Sequence, residues 1–162
     1  MALSQKKSDG APAAPANGDG PGLDYGALGD LLGYHLRRAQ VAAYQNFAEL
    51  LADLNVSPGQ VGVLVLVQSN PGINQTRVGN ALGIDRSTLV AVIDRLEGRD
   101  LIARTPSPTD RRSHALMLTK AGERYLGDLL PRVRDHEGQI ATRLSDKERS
   151  LLIDLLARVG NG

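Results

Sequence analysis

The chain has 162 residues, 41% of them hydrophobic, with no Cys, no Trp, one Phe and a net charge of +1. This length suits one domain with a core of Leu, Val, Ile and Ala, and the missing cysteines exclude a disulfide framework, a thiolate zinc site and a cysteine redox sensor. No run approaches the ~20 apolar residues of a membrane span, and the N-terminus has no apolar leader, so a cytoplasmic protein without a membrane partner is expected.

Residues 1–22 are rich in Ala, Pro, Gly and Ser, and only Lys6 and Lys7 offer positive charge there. They cannot bury enough apolar surface to offset chain entropy and read as a disordered tail. Helical periodicity then begins. Leu28, Leu32, Leu36, Ala39, Ala43, Phe47, Leu50 and Leu54 recur at spacings of three and four, which predicts one long helix over 24–54. Ser57-Pro58-Gly59-Gln60 is a capping box with Pro at the first helical position, followed by the nearly all-apolar Val61–Val67. Asn70-Pro71-Gly72 closes that buried helix.

Two short helices follow. Asn74 can cap one through about Ala81, Leu82-Gly83-Ile84 makes a tight turn, and Asp85 can cap a second through about Gly98. Together they read as a helix-turn-helix. Leu101–Thr105 and His114–Leu118 then fit two short strands around the basic turn 107–112, a hairpin wing. Thr119 caps a helix over 120–142, where Pro131 predicts a kink. Ser145-Asp146-Lys147-Glu148 boxes a last helix whose Leu151, Leu152, Leu155, Leu156 and Val159 form an apolar stripe.

The helix after Asp85 carries the functional reading. Leu89, Val92, Ile93 and Leu96 face inward. Ser87, Val90, Ala91 and Asp94 lie opposite, flanked by Arg86, Thr88 and Arg95. A rod of this size fits the DNA major groove, with its first turn nearest the base edges. Arg86 can pair with guanine, Ser87 and Thr88 can reach a base or phosphate, Val90 and Ala91 offer apolar contact, and Arg95 suits a phosphate. Asn74, Gln75, Thr76 and Arg77 at the start of the preceding helix are counted as DNA-facing too. Arg111 and Arg112 at the wing tip suit the minor groove, and Asp110 can orient one guanidinium. Net charge is +3 over residues 74–120 and −2 elsewhere, a bias that permits DNA binding without requiring it.

Gly83-Ile84-Asp85-Arg86-Ser87-Thr88-Leu89, Asp94-Arg95-Leu96-Glu97, Leu101-Ile102-Ala103-Arg104 and the wing stretch Asp110-x-Arg112 to Leu118-Thr119, then Ala121-Gly122, resemble the MarR family of transcriptional regulators. The resemblance covers residues 24–160. It implies a mainly α fold with a small β-hairpin wing: a winged helix-turn-helix flanked by N- and C-terminal dimerisation helices. The parts expected are a 1–22 tail, a 23–56 dimerisation helix, a 57–118 DNA-binding lobe and 119–162 dimerisation helices. It also implies a homodimer on a palindromic double-stranded operator, acting as a repressor released by a small-molecule effector. The terminal apolar stripes agree with self-association. Val90 and Ala91 depart from the polar or basic residues common at those positions in the family, which shifts weight to Arg86, the wing and DNA shape.

Leu32-Gly33-Tyr34-His35-Leu36-Arg37-Arg38-Ala39-Gln40 is similar to the first helix of repressors that answer to aromatic acyl-CoA thioesters. Arg37 and Arg38 suit ligand phosphates, and Tyr34, His35 and Tyr44 suit an aromatic head. A free aromatic acid is the alternative ligand. His35, His114 and His136 are scattered, and Ser107 has no evident base, so neither catalysis nor a metal or cofactor is expected. The rival reading is a winged-helix protein-interaction module without DNA binding.

Overall fold

The computed structural model describes residues 23–106 and 114–159. By internal contacts the chain divides into two compact units, residues 1–40 and 41–162, with the division inside the first α-helix.

In the first unit the expected single helix from residue 24 is broken. A 3-10 turn covers Gly26–Asp30, and α1 (Leu32–Leu50) starts only after Leu31, which is extended at φ −88° and ψ 115°. Gly26 takes φ +49°, a left-handed conformation that an α-helix cannot contain. Leu28, Leu31 and Leu32 are all exposed.

The second unit opens on the rest of α1. That helix stops at Leu50 because Leu51 leaves helical geometry; a 3-10 turn, Ala52–Leu54, ends on Asn55 at φ +47°. The predicted end at 54 therefore lies in a separate turn. α2 (Pro58–Ser69) carries the expected box: Ser57 Oγ accepts from Gln60 N, and Gln60 Oε1 accepts from Ser57 N. α3 (Gln75–Leu82) is capped by Asn74, whose Oδ1 accepts from Arg77 N, and stops at left-handed Gly83. α4 (Arg86–Gly98) is capped by Asp85.

Residues Ile73–Asn74 form a strand, β1, that the periodicity does not reveal. With β2 (Ile102–Pro106) and β3 (His114–Leu118) it makes an antiparallel sheet in the order β1-β3-β2. Ile73 pairs with Leu116, and Ile102 with Leu118. A two-residue strand has no period to detect, and Asn74 reads locally as a cap.

The core lies where α2, α3, α4, the sheet and the helix that follows the sheet meet. Val63, Leu64, Val78, Ile93, Leu96, Leu116, Leu126 and Leu129 are fully buried there. Leu89, Ile93 and Leu96 seat α4 as its pattern predicts, with Val92 half-buried. Each such side chain contributes about 1.5–3 kcal/mol of burial.

α5 (Lys120–Ile140) runs through Pro131 as one helix. Its buried His136 donates from Nδ1 to Asn46 Oδ1 on α1 at 2.7 Å. α6 (Asp146–Val159) starts on the Ser145–Glu148 box and buries no residue. Leu151, Leu152, Leu155, Leu156 and Val159 are all exposed. Among the described residues, no helix is long and apolar enough to cross a membrane.

Candidate nucleic-acid interface

Asp85 sets the first turn of α4. One carboxylate oxygen accepts from Thr88 N at 3.0 Å and from Ser87 Oγ at 2.5 Å. Hydrogen bonds from Ser87 and then Thr88 hold its carboxyl far below the usual carboxylate range. The sequence suggests a Ser87 free for a base or phosphate. In the structure its proton is committed to Asp85, which leaves Ser87 only as an acceptor.

Arg86, Ser87, Thr88 and Ala91 are exposed, and Val90 is half-buried. Arg86 forms no ion pair with any described residue. Its side chain borders a cavity of about 550 Å³ together with Asn74 of β1, Gln75 and Thr76 of α3 and His114 at the start of β3. Thus four predicted contact residues, from β1 and two helices, share one hollow. Sequence reasoning does not include His114; its one signal is its place next to the turn of the predicted hairpin. Arg77 is exposed on α3 beside this group. Arg95 lines a second cavity, at the other end of α4. Nine residues at ~1.5 Å rise put it about 13 Å along the axis from Arg86. Asp110, Arg111 and Arg112 lie outside the described residues.

Arg104, which in the sequence is only one more positive charge, joins the wing to α4. Its guanidinium bonds Asp94 and Glu97 on α4, and its backbone N–H donates to Glu97 at 3.4 Å. The spacing of ten residues between Asp94 and Arg104 crosses an element boundary, so periodicity gives no hint of it.

The predicted effector residues fall in both units. In the first, the Tyr25 and Tyr34 rings lie 6.0 Å apart, the His35 ring is edge-on to Tyr34, and His35 Nε2 donates to Gly29 O at 2.8 Å. Arg37 is exposed and Arg38 half-buried. In the second, Tyr44 is exposed. None of the five lines either cavity.

Residues 56–114 match the model of the MarR family. The regulatory protein proposed for the hcr operon of Thauera aromatica is 40% identical over 146 residues, 90% of this chain and 88% of its own. The repressor CouR bound to a 23-mer DNA duplex superposes with a TM-score of 0.81 at 42% identity, covering 86% of this chain and 99% of that one. CouR bound to p-coumaroyl-CoA gives 0.77 at 40% identity, covering 86% and 98%. With its winged helix-turn-helix and these relatives, the chain belongs to the MarR family of transcriptional regulators.

Proposed function

We propose that this protein is a cytoplasmic repressor that binds a palindromic DNA operator as a homodimer and is released by a small aromatic ligand or its acyl-CoA thioester. One observation carries the DNA part: Arg86, unpaired among the described residues, stands on an exposed first turn beside the capped start of α3. CouR, seen on a DNA duplex and on p-coumaroyl-CoA, supports both halves of the reading. Asn74, Gln75, Thr76, Arg77, Arg86, Ser87, Thr88, Val90, Ala91, Arg95 and the wing residues Asp110, Arg111 and Arg112 are the DNA set. Tyr34, His35, Arg37, Arg38 and Tyr44 are the proposed contacts for the aromatic thioester. The exposed stripes of residues 28–32 and of α6 are the proposed dimer surfaces, since exposed apolar stripes mark interaction sites. No catalytic step or cofactor enters this reading.

The test is fluorescence anisotropy on DNA from upstream of the protein's own gene. Wild type should bind with affinity that falls steeply as salt rises, because phosphate neutralisation releases counterions. Arg112→Ala and Arg86→Ala should each weaken binding about ten-fold or more. Saturating p-coumaroyl-CoA should lower operator affinity. Salt-insensitive or absent DNA binding would remove the repressor reading, and operator affinity indifferent to ligand would remove the sensing half.

A further inference from the structure

The hollow of about 550 Å³ between the starts of α3 and α4 has two ionisable side chains on its wall, Arg86 and His114. Only Arg86 enters the operator set. Strand alternation explains how His114 comes to face the hollow. His114 and Leu116 share one side of β3, and Leu116 is fully buried in the core. Met117 takes the opposite side and is exposed. His114 therefore stands one step beyond the core, on the side that faces the core helices. It is exposed, and its ring forms no hydrogen bond or ion pair with another described residue.

Among the described residues the wall offers donors and no carboxylate. Asn74 spends its Oδ1 on Arg77 N, which leaves its side-chain N–H groups. Gln75, Thr76 and Arg86 add further donors. The acids of the surrounding elements are committed elsewhere. Asp94 and Glu97 on α4 bind Arg104 of β2, and Asp85 accepts from Ser87 and Thr88. α2, which also packs on β3, carries no charged residue, and α3 carries only the exposed Arg77. Arg95 borders the other cavity. α5 begins past the far end of β3, so its Lys120, Glu123 and Arg124 are removed by the strand's length, about 14 Å. An anion is the occupant such a wall favours.

We propose that His114, as an imidazolium, holds a phosphate of the DNA backbone across this hollow from Arg86, so that operator binding takes up a proton. In a helix-turn-helix the first helix crosses the backbone while the second lies in the groove. A hollow between the starts of those two helices is where the strand bordering the groove passes. Histidine is the side chain whose ordinary titration spans about pH 5 to 8. A phosphate favours its charged form, so DNA tightens its hold on the proton. By linkage the proton tightens its hold on DNA, and affinity grows as pH falls. The inference rests on the operator-binding reading and adds one contact, with its proton, to it.

The test is operator anisotropy of the full chain, titrated with salt at about pH 6 and about pH 8. Wild type should bind about five- to ten-fold tighter at the lower pH, as expected for one charge-assisted bond. Its salt slope there should be steeper by up to about 0.9, for one more phosphate neutralised. His114→Gln should match wild type at the higher pH, which also shows that it folds, and gain nothing at the lower. His114→Arg carries a fixed charge and should keep the steeper slope at both. If His114→Gln retains the wild-type gain, the proton goes elsewhere, and the proposal is wrong while operator binding stands. A wild type whose affinity and slope ignore pH overturns it as well. If wild type binds no operator at either pH, the operator reading fails and this contact with it.

Discussion

A Cβ built on Gly122 would lie 2.0 Å from the carbonyl oxygen of Leu101. The first turn of α5 is thus pressed onto the backbone that links α4 to the wing. Thr119 completes the joint: its N–H donates to Leu101 O, its Oγ1 donates to Asp100 O, and the same oxygen accepts from Gly122 N. Gly122→Ala forces backbone to move and should cost about 1–3 kcal/mol or more. Gly127→Ala on the same helix meets nothing within 4 Å. It should stabilise by about 0.5–1 kcal/mol through helix propensity. Urea denaturation of both variants at one protein concentration checks the contrast.

Asp100 sits at φ +55° just past the end of α4. Leu101 N donates to Leu96 O and Asp100 N to Glu97 O, the paired bonds of a Schellman motif. Glycine normally takes this left-handed position because a Cβ is penalised there, by about 1 kcal/mol. Only the backbone carbonyl of Asp100 is used by Thr119. Asp100→Gly should therefore raise stability by about 0.5–1 kcal/mol and leave operator affinity unchanged. A lower denaturation midpoint would show that the carboxylate has a role of its own.

Much of this is legible in the chain itself. The boxes at Ser57 and Ser145, the caps at Asn74, Asp85 and Thr119, and the inward face of α4 depend on residues within four positions of each other. Local chemistry decides them, so sequence shows them. The break before α1 escapes the pattern because the apolar spacing continues across Leu28 and Leu32, while Gly26 and Leu31 set the backbone. The Arg99, Arg104 and Arg132 contacts are invisible for another reason. Arg99 reaches back 44 residues to Asn55 and Arg132 reaches back 79 to Asp53, and only packing brings them together. Arg86 and Arg95 border different cavities, a separation that follows from their nine-residue spacing along one helix.

The Asp85 cap gives a pH dependence of known sign. Its carboxyl is held well below its ordinary value of 3.8 by Ser87 and Thr88. A carboxyl lowered in the folded state adds stability that is complete above the unfolded value. That stability is lost as pH falls through the folded value, since the unfolded chain takes the proton first. Asp85→Asn keeps a capping oxygen but not the charge. The gap in urea midpoint between wild type and Asp85→Asn should stay constant from about pH 7 to 5 and narrow below about pH 4. A gap unchanged down to about pH 2 would show that the ionised form is not what the cap uses. Solvent exposure of the pair keeps the effect small.

Arg104 and Arg86 separate two ways of losing DNA affinity. Arg104 is 18% exposed and its charge is balanced by Asp94 and Glu97, so it is poorly placed to neutralise a phosphate. Arg104→Met frees β2 from α4 and leaves two uncompensated carboxylates on the reading helix. Stability should drop by about 0.5–1.5 kcal/mol, the range for one such hydrogen-bonded pair. Operator affinity should also drop, because the wing is no longer held in register with α4. The dependence of affinity on salt should keep its slope, since every phosphate stays neutralised as before. Arg86→Ala should do the reverse if Arg86 meets phosphate: little change in stability, and a slope shallower by about 0.9 for each phosphate no longer neutralised. If Arg86 reads a base instead, the slope holds and discrimination against mutated operators falls by about 1–3 kcal/mol. Salt titrations of the three proteins on one operator and on a single-base variant distinguish these outcomes. A shallower slope for Arg104→Met would place that guanidinium on DNA and overturn its assignment as the brace between wing and helix.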